Sequence, residues 1–351
     1  MNNALTSLKG MLTKKKRIDS SNFLLMVTIC LFLVMYVLGI VVYHAKGFGK
    51  MQTFLNMLID NAGLLIAASG MTLVMITGGI DISVGSVVGL VCMMLSYMME
   101  KQGIPSGVAI MIVLIFGVVF GAFQGWLISY MELQPFIITL AGLFFCRGLI
   151  AIISVEQIAI KANKAFLWLA NVNIYLPIGA TVNRHGVKMY PFIHPSVVIS
   201  LIVVLAIWYL LRYTRFGRNM FAIGGNENSA LLMGINVKRT KFFTYMLEGF
   251  LAALAGLVFC LNTTAGFVEQ ARGFEMDAIA SAVIGGTMLT GGVGTVIGTF
   301  FGVLIKATIE TLIRCQGTLS SWWSKIVLSI ILCFFIVLQS VFVILKNRRT
   351  K

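Results

Sequence analysis

Uncharged apolar runs of about 20 residues recur along this chain, from 23–42 to 326–343, and that recurrence constrains its fold more than any other feature. A helix needs roughly 20 apolar residues to cross about 30 Å of hydrocarbon. Strands of a membrane barrel would instead alternate polar and apolar residues, which these runs do not. With 59% hydrophobic and only 11% charged residues, too little polar surface is left to cover a water-soluble fold. The chain therefore reads as an all-α integral membrane protein. Apolar runs and charged breaks place about ten transmembrane helices, near 22–43, 56–77, 84–99, 107–129, 135–155, 194–213, 242–263, 277–290, 294–313 and 323–345.

The net charge of +15 points away from nucleic acid, because the basic residues cluster at the edges of apolar spans, as lipid-embedded helices with cytoplasmic basic ends require. Residues 1–21 form a basic tail with Lys14, Lys15, Lys16 and Arg17, 22–345 the transmembrane domain, and 346–351 a second basic tail. Both termini are expected in the cytoplasm. Counting sides from there puts 214–241 in the cytoplasm, where Arg215, Arg218, Lys238, Arg239 and Lys241 face the single acid Glu227. The long polar stretch 156–193 falls outside, although its Lys161, Lys164, Arg184 and Lys188 run against the charge rule. The run 23–42 exceeds the apolar core of a secretory signal and no small-x-small site follows before His44, so it reads as a retained first span. Six dispersed cysteines without C-x-x-C spacing read as packing residues.

Two Gly-rich segments share a core, V-G-S-V-V-G at 84–89 and V-G-T-V-I-G at 293–298. Paired short segments broken by glycine are the sequence mark of a transporter built from internal repeats. Gly117, Gly121 and Gly125, and Gly294, Gly298 and Gly302, lie on single helix faces and are expected to form close packing seams. No phosphate loop, zinc-protease, nucleophile-elbow or kinase motif is present. The chain is thus expected to be no enzyme and to hold no cofactor or metal of its own, and if ATP drives it, another chain must hydrolyse that ATP.

A charge in mid-bilayer costs at least about 2.5 kcal/mol, so ionisable residues in spans are default functional candidates. Asp60, Asp81, Glu248, Asp277 and Glu310 are read as isolated acids without basic partners in the spans; Glu248 is read as interfacial and given no role. Helix capping or interfacial solvation accounts for Asp60, Asp81 and Asp277. Phe136, Thr139, Asn262, Thr263 and Thr264 are the polar and aromatic types that suit sugar hydroxyls and C–H faces. Asp81, Ser83, Phe136, Thr139, Asn262 and Asp277 are the substrate-path candidates. Trp322 and Trp323 read as an interfacial belt. In the cytoplasmic loop, Asn226 can cap a short helix over 227–233 that Gly234 ends. Ala230, Leu231 and Met233 would then be presented to a partner's groove, or the loop folds back on its own protein.

G-G-I-D-I-S-V-G-S at 78–86, F-G-R-N-M-F-A-I-G-G-N at 216–226 with M-G-I at 233–235, and E-M-D-A-I-A-S-A-V-I-G-G-T at 275–287 resemble the ribose/xylose/galactoside class of permeases in bacterial ATP-binding-cassette importers. Within that class, Q-P-F-I-I-T-L-A-G-L-F-F-C-R-G at 134–148 and G-T-L-S-S-W-W-S-K at 317–325 are similar to the second permease of galactofuranose importers. The resemblance implies the permease architecture of ribose- and B12-class importers, in the cytoplasmic (inner) membrane, with two permeases, identical or related. It also implies one or more ATPase partners that bind ATP and magnesium, and a periplasmic or surface sugar-binding protein. Phe216, Gly217, Gly224, Gly225, Asn226, Ala230, Gly234 and Ile235 match the family's ATPase-coupling region. A permease of the same scaffold for nucleosides or another small solute, and an ion-coupled secondary transporter, are the competing readings.

Overall fold

The computed structural model describes residues 20–177, 179–182, 188–318, 320 and 322–348. The basic run Lys14 to Arg17, the loop residues Arg184 and His185, and the tail residues Arg349 and Lys351 lie outside the described residues. Among the described residues fourteen α-helices carry the fold, in chain order α1 Ser20–Val42, α2 Met51–Asp60, α3 Ala62–Ile76, α4 Val84–Ser96, α5 Ser106–Ser129, α6 Pro135–Ile153, α7 Lys164–Asn171, α8 Pro195–Tyr213, α9 Arg215–Gly225, α10 Glu227–Leu232, α11 Val237–Thr263, α12 Phe274–Ile284, α13 Val296–Gln316 and α14 Trp322–Arg348.

Seven helices among the described residues are long and apolar enough to cross a membrane: α1, α4 with its π-helical extension Tyr97–Lys101, α5, α6, α8, α11 and α13. The α2–α3 pair makes an eighth crossing bent by 56° at Asn61. The two remaining expected spans are of other kinds. α12 has 11 residues, which at 1.5 Å per residue covers about half a membrane, and the apolar part of α14 runs over Trp322–Leu338.

α3 is the axis of the bundle, with every residue from Ala62 to Ile76 buried. α4, α11 and α13 surround it, largely buried, while α1, α5, α6 and α8 turn apolar side chains such as Val41, Ile115, Phe144 and Leu205 outward. Such wide exposed apolar faces suit lipid or another membrane-embedded chain. Both expected glycine seams form. Gly117 and Gly121 of α5 lie against the backbone of α11 at Gly249, and Gly298 and Gly302 of α13 lie on the Gly285 and Ser281 carbonyls that end α12, so a side chain at any of these four would overlap main chain.

The two V-G-[ST]-V-[VI]-G segments occupy corresponding places, each leading from a glycine turn into a long helix. Their helix starts differ, since α4 begins at Val84 whereas α13 begins three residues further into the match, at Val296, where Thr295 accepts a hydrogen bond from Gly298 N–H at 2.9 Å.

One end of the bundle carries α9 and α10. The other carries the 154–194 segment, held by short antiparallel strands. β1 Ile158–Ala159 pairs with β6 Ala265–Gly266, β2 Ile174–Tyr175 with β5 Phe192–Ile193, and β3 Thr181–Val182 with β4 Lys188–Met189. Glu100 at the end of α4 accepts from the Lys161 and Ala162 amides at 2.7 and 2.9 Å, fixing this segment to the bundle. From β6 the chain descends along α4 before α12 begins. Arg147 of α6 holds that descent by donating to the Val268, Gln270 and Ala271 carbonyls at 3.3, 2.7 and 3.0 Å.

Candidate coupling site and substrate path

The segment 214–236 folds as expected from its local chemistry. Thr214 caps α9, accepting from Gly217 N–H at 3.1 Å, and Gly217 has no room for a side chain because Leu210 and Leu211 turn back over it. Asn226 caps α10, accepting from Ser229 N–H at 2.8 Å, and Gly234 ends it at φ 78° with Ile235 N–H donating to Ala230 O at 3.1 Å. Ile223, Ala230 and Val237 form a small core that clips α9 and α10 onto the first turn of α11, with Ile235 packed against it. Two ion pairs close the edges: Lys241 with Glu227, and Lys238 with Glu132, each at 2.7 Å. The hydrogen bond and charge of Lys238 hold the Glu132 carboxyl below the usual carboxylate range.

Ala230 is therefore fully buried and faces its own protein, which corrects its expected place on the docking surface. Leu232, overlooked in the sequence, takes that place at 87% exposed, beside Leu231 at 63% and Met233 at 68%. Three adjacent apolar side chains at the tip of a capped helix, outside any lipid-crossing segment, form an unpartnered contact edge. Asn226→Ala is expected to remove about 1 kcal/mol of α10 stability. Hydrogen exchange should show the Ser229 amide opening about fivefold faster, with the melting temperature of the whole protein unchanged.

Beneath this knob three glycine pairs meet. Gly292 N–H donates to Ile76 O at 2.9 Å, capping the end of α3. A Cβ on Gly291 would lie 3.0 Å from Gly224 O and 3.0 Å from the Gly78 Cα, and one on Gly292 would lie 2.8 Å from the Gly225 Cα. Gly224 is the tightest of them, since its own Cβ would overlap Ile76 O and Gly292 N. Gly225 and Gly234 each have open space where a Cβ would go, so of the adjacent pair Gly224 and Gly225 only Gly224 is closed to a side chain. Gly78, Gly291 and Gly292 hold φ of 82°, 85° and 73°, a region that favours glycine. α9 thus meets the main chain at the end of α3 (Ile76) and in the 285–295 turn (Gly291 and Gly292), and Gly291 of that turn lies in its own right against Gly78 of the 77–83 turn.

Of the substrate-path candidates, Asp81, Ser83 and Thr139 come together. Asp81 Oδ1 accepts from Ser83 N–H at 2.8 Å and Ser83 Oγ–H at 2.6 Å, Gln124 Nε2 donates to Ser83 Oγ at 3.1 Å, and Thr139 Oγ1 donates to Ile80 O at 3.3 Å. This buried polar knot pins the 77–83 turn to α5 and α6, with Asp81 stabilising the turn into α4. Phe136 lies one turn before Thr139 and is about half exposed. Asn262 belongs to the opposite end of the bundle, where it donates to Ile59 O at 2.8 Å. Thr263 accepts there from Gln270 Nε2 at 3.0 Å, and Thr264 caps α11 at φ 47°. Phe136 and Thr139 on one side and Asn262, Thr263 and Thr264 on the other are therefore separate groups rather than one sugar-binding set.

The acids are not isolated, a second correction. Lys306 lies inside the 294–313 span and reaches Glu310 at 2.8 Å, Asp277 at 3.4 Å and Asn61 Oδ1 at 3.4 Å. This cluster joins the first turn of the half-length α12 to α13 and to the bend between α2 and α3. Asp60 pairs with Arg314 at 3.1 Å. A Lys–Glu pair four residues apart within an apolar run was the available signal. Glu248 is corrected as well: α11 starts at Val237, so Glu248 lies three turns into it, fully buried against the Gly70 backbone. Neither its carboxyl nor the Tyr245 hydroxyl one turn away has a hydrogen-bond partner among the described residues.

Residues 53–336 match the family model described as the permease component of the branched-chain amino acid transport system. The chain belongs to this permease family. It is 43% identical to the inner membrane ABC transporter permease protein YjfF of Escherichia coli K12, over 93% of this chain and 95% of that one. The fructose import permease protein FruG of Bifidobacterium longum is 34% identical over 92% of each chain, and the ribose import permease protein RbsC of E. coli K12 is 31% identical over 88% of this chain and 92% of its own. No solved structure matches. Family membership makes the chain a multi-pass transport component rather than an enzyme, with a permease fold built largely of transmembrane helices.

Proposed function

We propose that this chain is the translocating subunit of an ATP-binding-cassette importer that carries a neutral monosaccharide, galactofuranose-like or a related pentose or hexose, across the inner membrane into a bacterial cytoplasm. The observation that carries the reading is the glycine junction, where a compact knob with an exposed apolar tip rests by main-chain contact on the end of α3 and on the Gly291–Gly292 turn, which lies in turn on Gly78. An ATPase seated on Leu231, Leu232 and Met233 would move α9, the Ile76 and Gly292 contacts would pass that movement to α3 and α13, and the Gly291–Gly78 contact would carry it on to the turn before α4. A ligand or partner switches a two-state protein only through contacts that differ between the states, and these are contacts a rigid knob can change together.

The α9–α10 end is then cytoplasmic, with both termini on that side, and the 154–194 segment faces a periplasmic or surface sugar-binding protein. A second permease, identical or related, completes the pair. The relatives named for fructose, ribose and xylose support a sugar cargo. So does the charge accounting, because Lys306 and Arg147, the cations away from the span ends among the described residues, are already engaged by acids and carbonyls of this chain, leaving no unpaired cation deep in the membrane for a charged solute. Uptake of a radiolabelled panel of hexoses, pentoses and nucleosides by cells expressing the importer tests the cargo. Accumulation of a monosaccharide is expected, and a nucleoside accumulating while no sugar does would overturn the assignment.

A further inference from the structure

A cavity of about 630 Å³ opens at the α9 end of the bundle between α1, α8, α9 and the chain entering α13, within the size range of ligand sites. Its walls are of two kinds. Leu25, Phe221 and Ile297 make it apolar towards the bundle, while Arg212, Trp208 and Tyr213 rim it at the last turn of α8. The Trp208 and Tyr213 rings meet edge to face at 5.7 Å. Paired Trp and Tyr at a span end mark headgroup depth. Arg212 has no ion pair or hydrogen bond among the described residues, and no acid lines the cavity.

We infer that this groove binds an anionic phospholipid, with Arg212 on the phosphodiester and an acyl chain along Leu25, Phe221 and Ile297. A guanidinium presents paired donors that match phosphate oxygens, and basic pockets between membrane helices take acidic headgroups. Charge complementarity selects this occupant over the chain's own leading segment, whose Lys14 to Arg17 run carries the same sign as Arg212. The floor of the groove includes Gly292 and Val293, so the lipid lies beside the turn that touches Gly224 and Ile76, where it can brace one position of the α9 knob. The site stands whether or not the cargo is a sugar.

Native mass spectrometry of the purified full chain released from phosphatidylcholine bilayers doped with phosphatidylglycerol tests this. One phosphatidylglycerol per chain should be retained in preference to phosphatidylcholine. Arg212→Ala should weaken that retention about fivefold, the contribution of one basic residue near an anionic surface, Arg212→Lys should keep part of it, and Arg215→Ala, which removes a charge three residues away outside the groove, should leave it unchanged. Equal retention of the two lipids by the wild type would overturn the inference, as would equal losses in the Arg212→Ala and Arg215→Ala variants. Displacement by soluble glycerol phosphate as effective as by the lipid would also overturn it, assigning the groove to a free organophosphate.

Discussion

Gly224→Ala is expected to cut ATP-dependent uptake about tenfold or more while leaving the protein folded in the membrane. The added methyl would overlap Ile76 O and Gly292 N, two main-chain atoms that no rotamer change can move aside. Forcing a methyl into a packed contact costs about 1–3 kcal/mol, and each 1.4 kcal/mol shifts an equilibrium about tenfold. Relief comes from lifting α9 off the end of α3, the displacement that would uncouple the knob from Ile76 and from the Gly291–Gly292 turn. Gly225→Ala is the matched control, one residue along, where the methyl meets open space, and its uptake should stay within about twofold of wild type. Uptake and ATPase stimulation measured side by side check the pair: Gly224→Ala should retain basal ATP hydrolysis and lose transport. Equal behaviour of the two variants would remove the junction from the account.

Lys306→Met should be the most destabilising substitution in the bundle. It leaves Asp277 and Glu310 facing each other and Asn61 without its donor, in a site where the Lys306 side chain is 11% exposed. Breaking a buried ion pair from one side costs about 3–5 kcal/mol, and the lower end applies because Glu310 is 30% exposed. The midpoint of thermal unfolding in detergent should fall by several degrees. A triple variant, Lys306→Met with Asp277→Asn and Glu310→Gln, should recover most of the loss, because it removes the uncompensated charges rather than the contact. If the single and triple variants melt together, packing volume rather than charge is what Lys306 supplies.

The crossings were legible because hydrophobic length is written into contiguous residues, and the same holds for the α10 cap, where Asn226 and Gly234 act on neighbours within a few positions. What escaped depends on residues distant in the chain. Gly224 and Gly225 are indistinguishable in sequence, and only the approach of Ile76 and Gly292 separates them. Ala230 sits on the inner face of α10 because Ile223 and Val237 close over it. Lys306 is hidden in the sequence because hydropathy averaged over a span absorbs one charge, and its partners Asp277 and Asn61 come from outside its own helix. Phe136 and Asn262 were grouped by chemical type alone, yet they lie at opposite ends of their helices relative to the membrane. The roles of Arg147 and Gln124 are not legible in the sequence, because the carbonyls and hydroxyl they bind belong to turns whose positions no local pattern specifies.

Sealed vesicles test the central claim, that an external nucleotide cycle works this chain through the α9–α10 knob. Vesicles holding the chain with its ATPase partner and binding protein should accumulate sugar against its gradient only when ATP is supplied on the knob side, and not after Leu232→Glu places a charge in the docking edge. Vesicles holding the chain alone, under an imposed proton or sodium gradient, should accumulate none. Uphill accumulation in those chain-only vesicles would contradict the account.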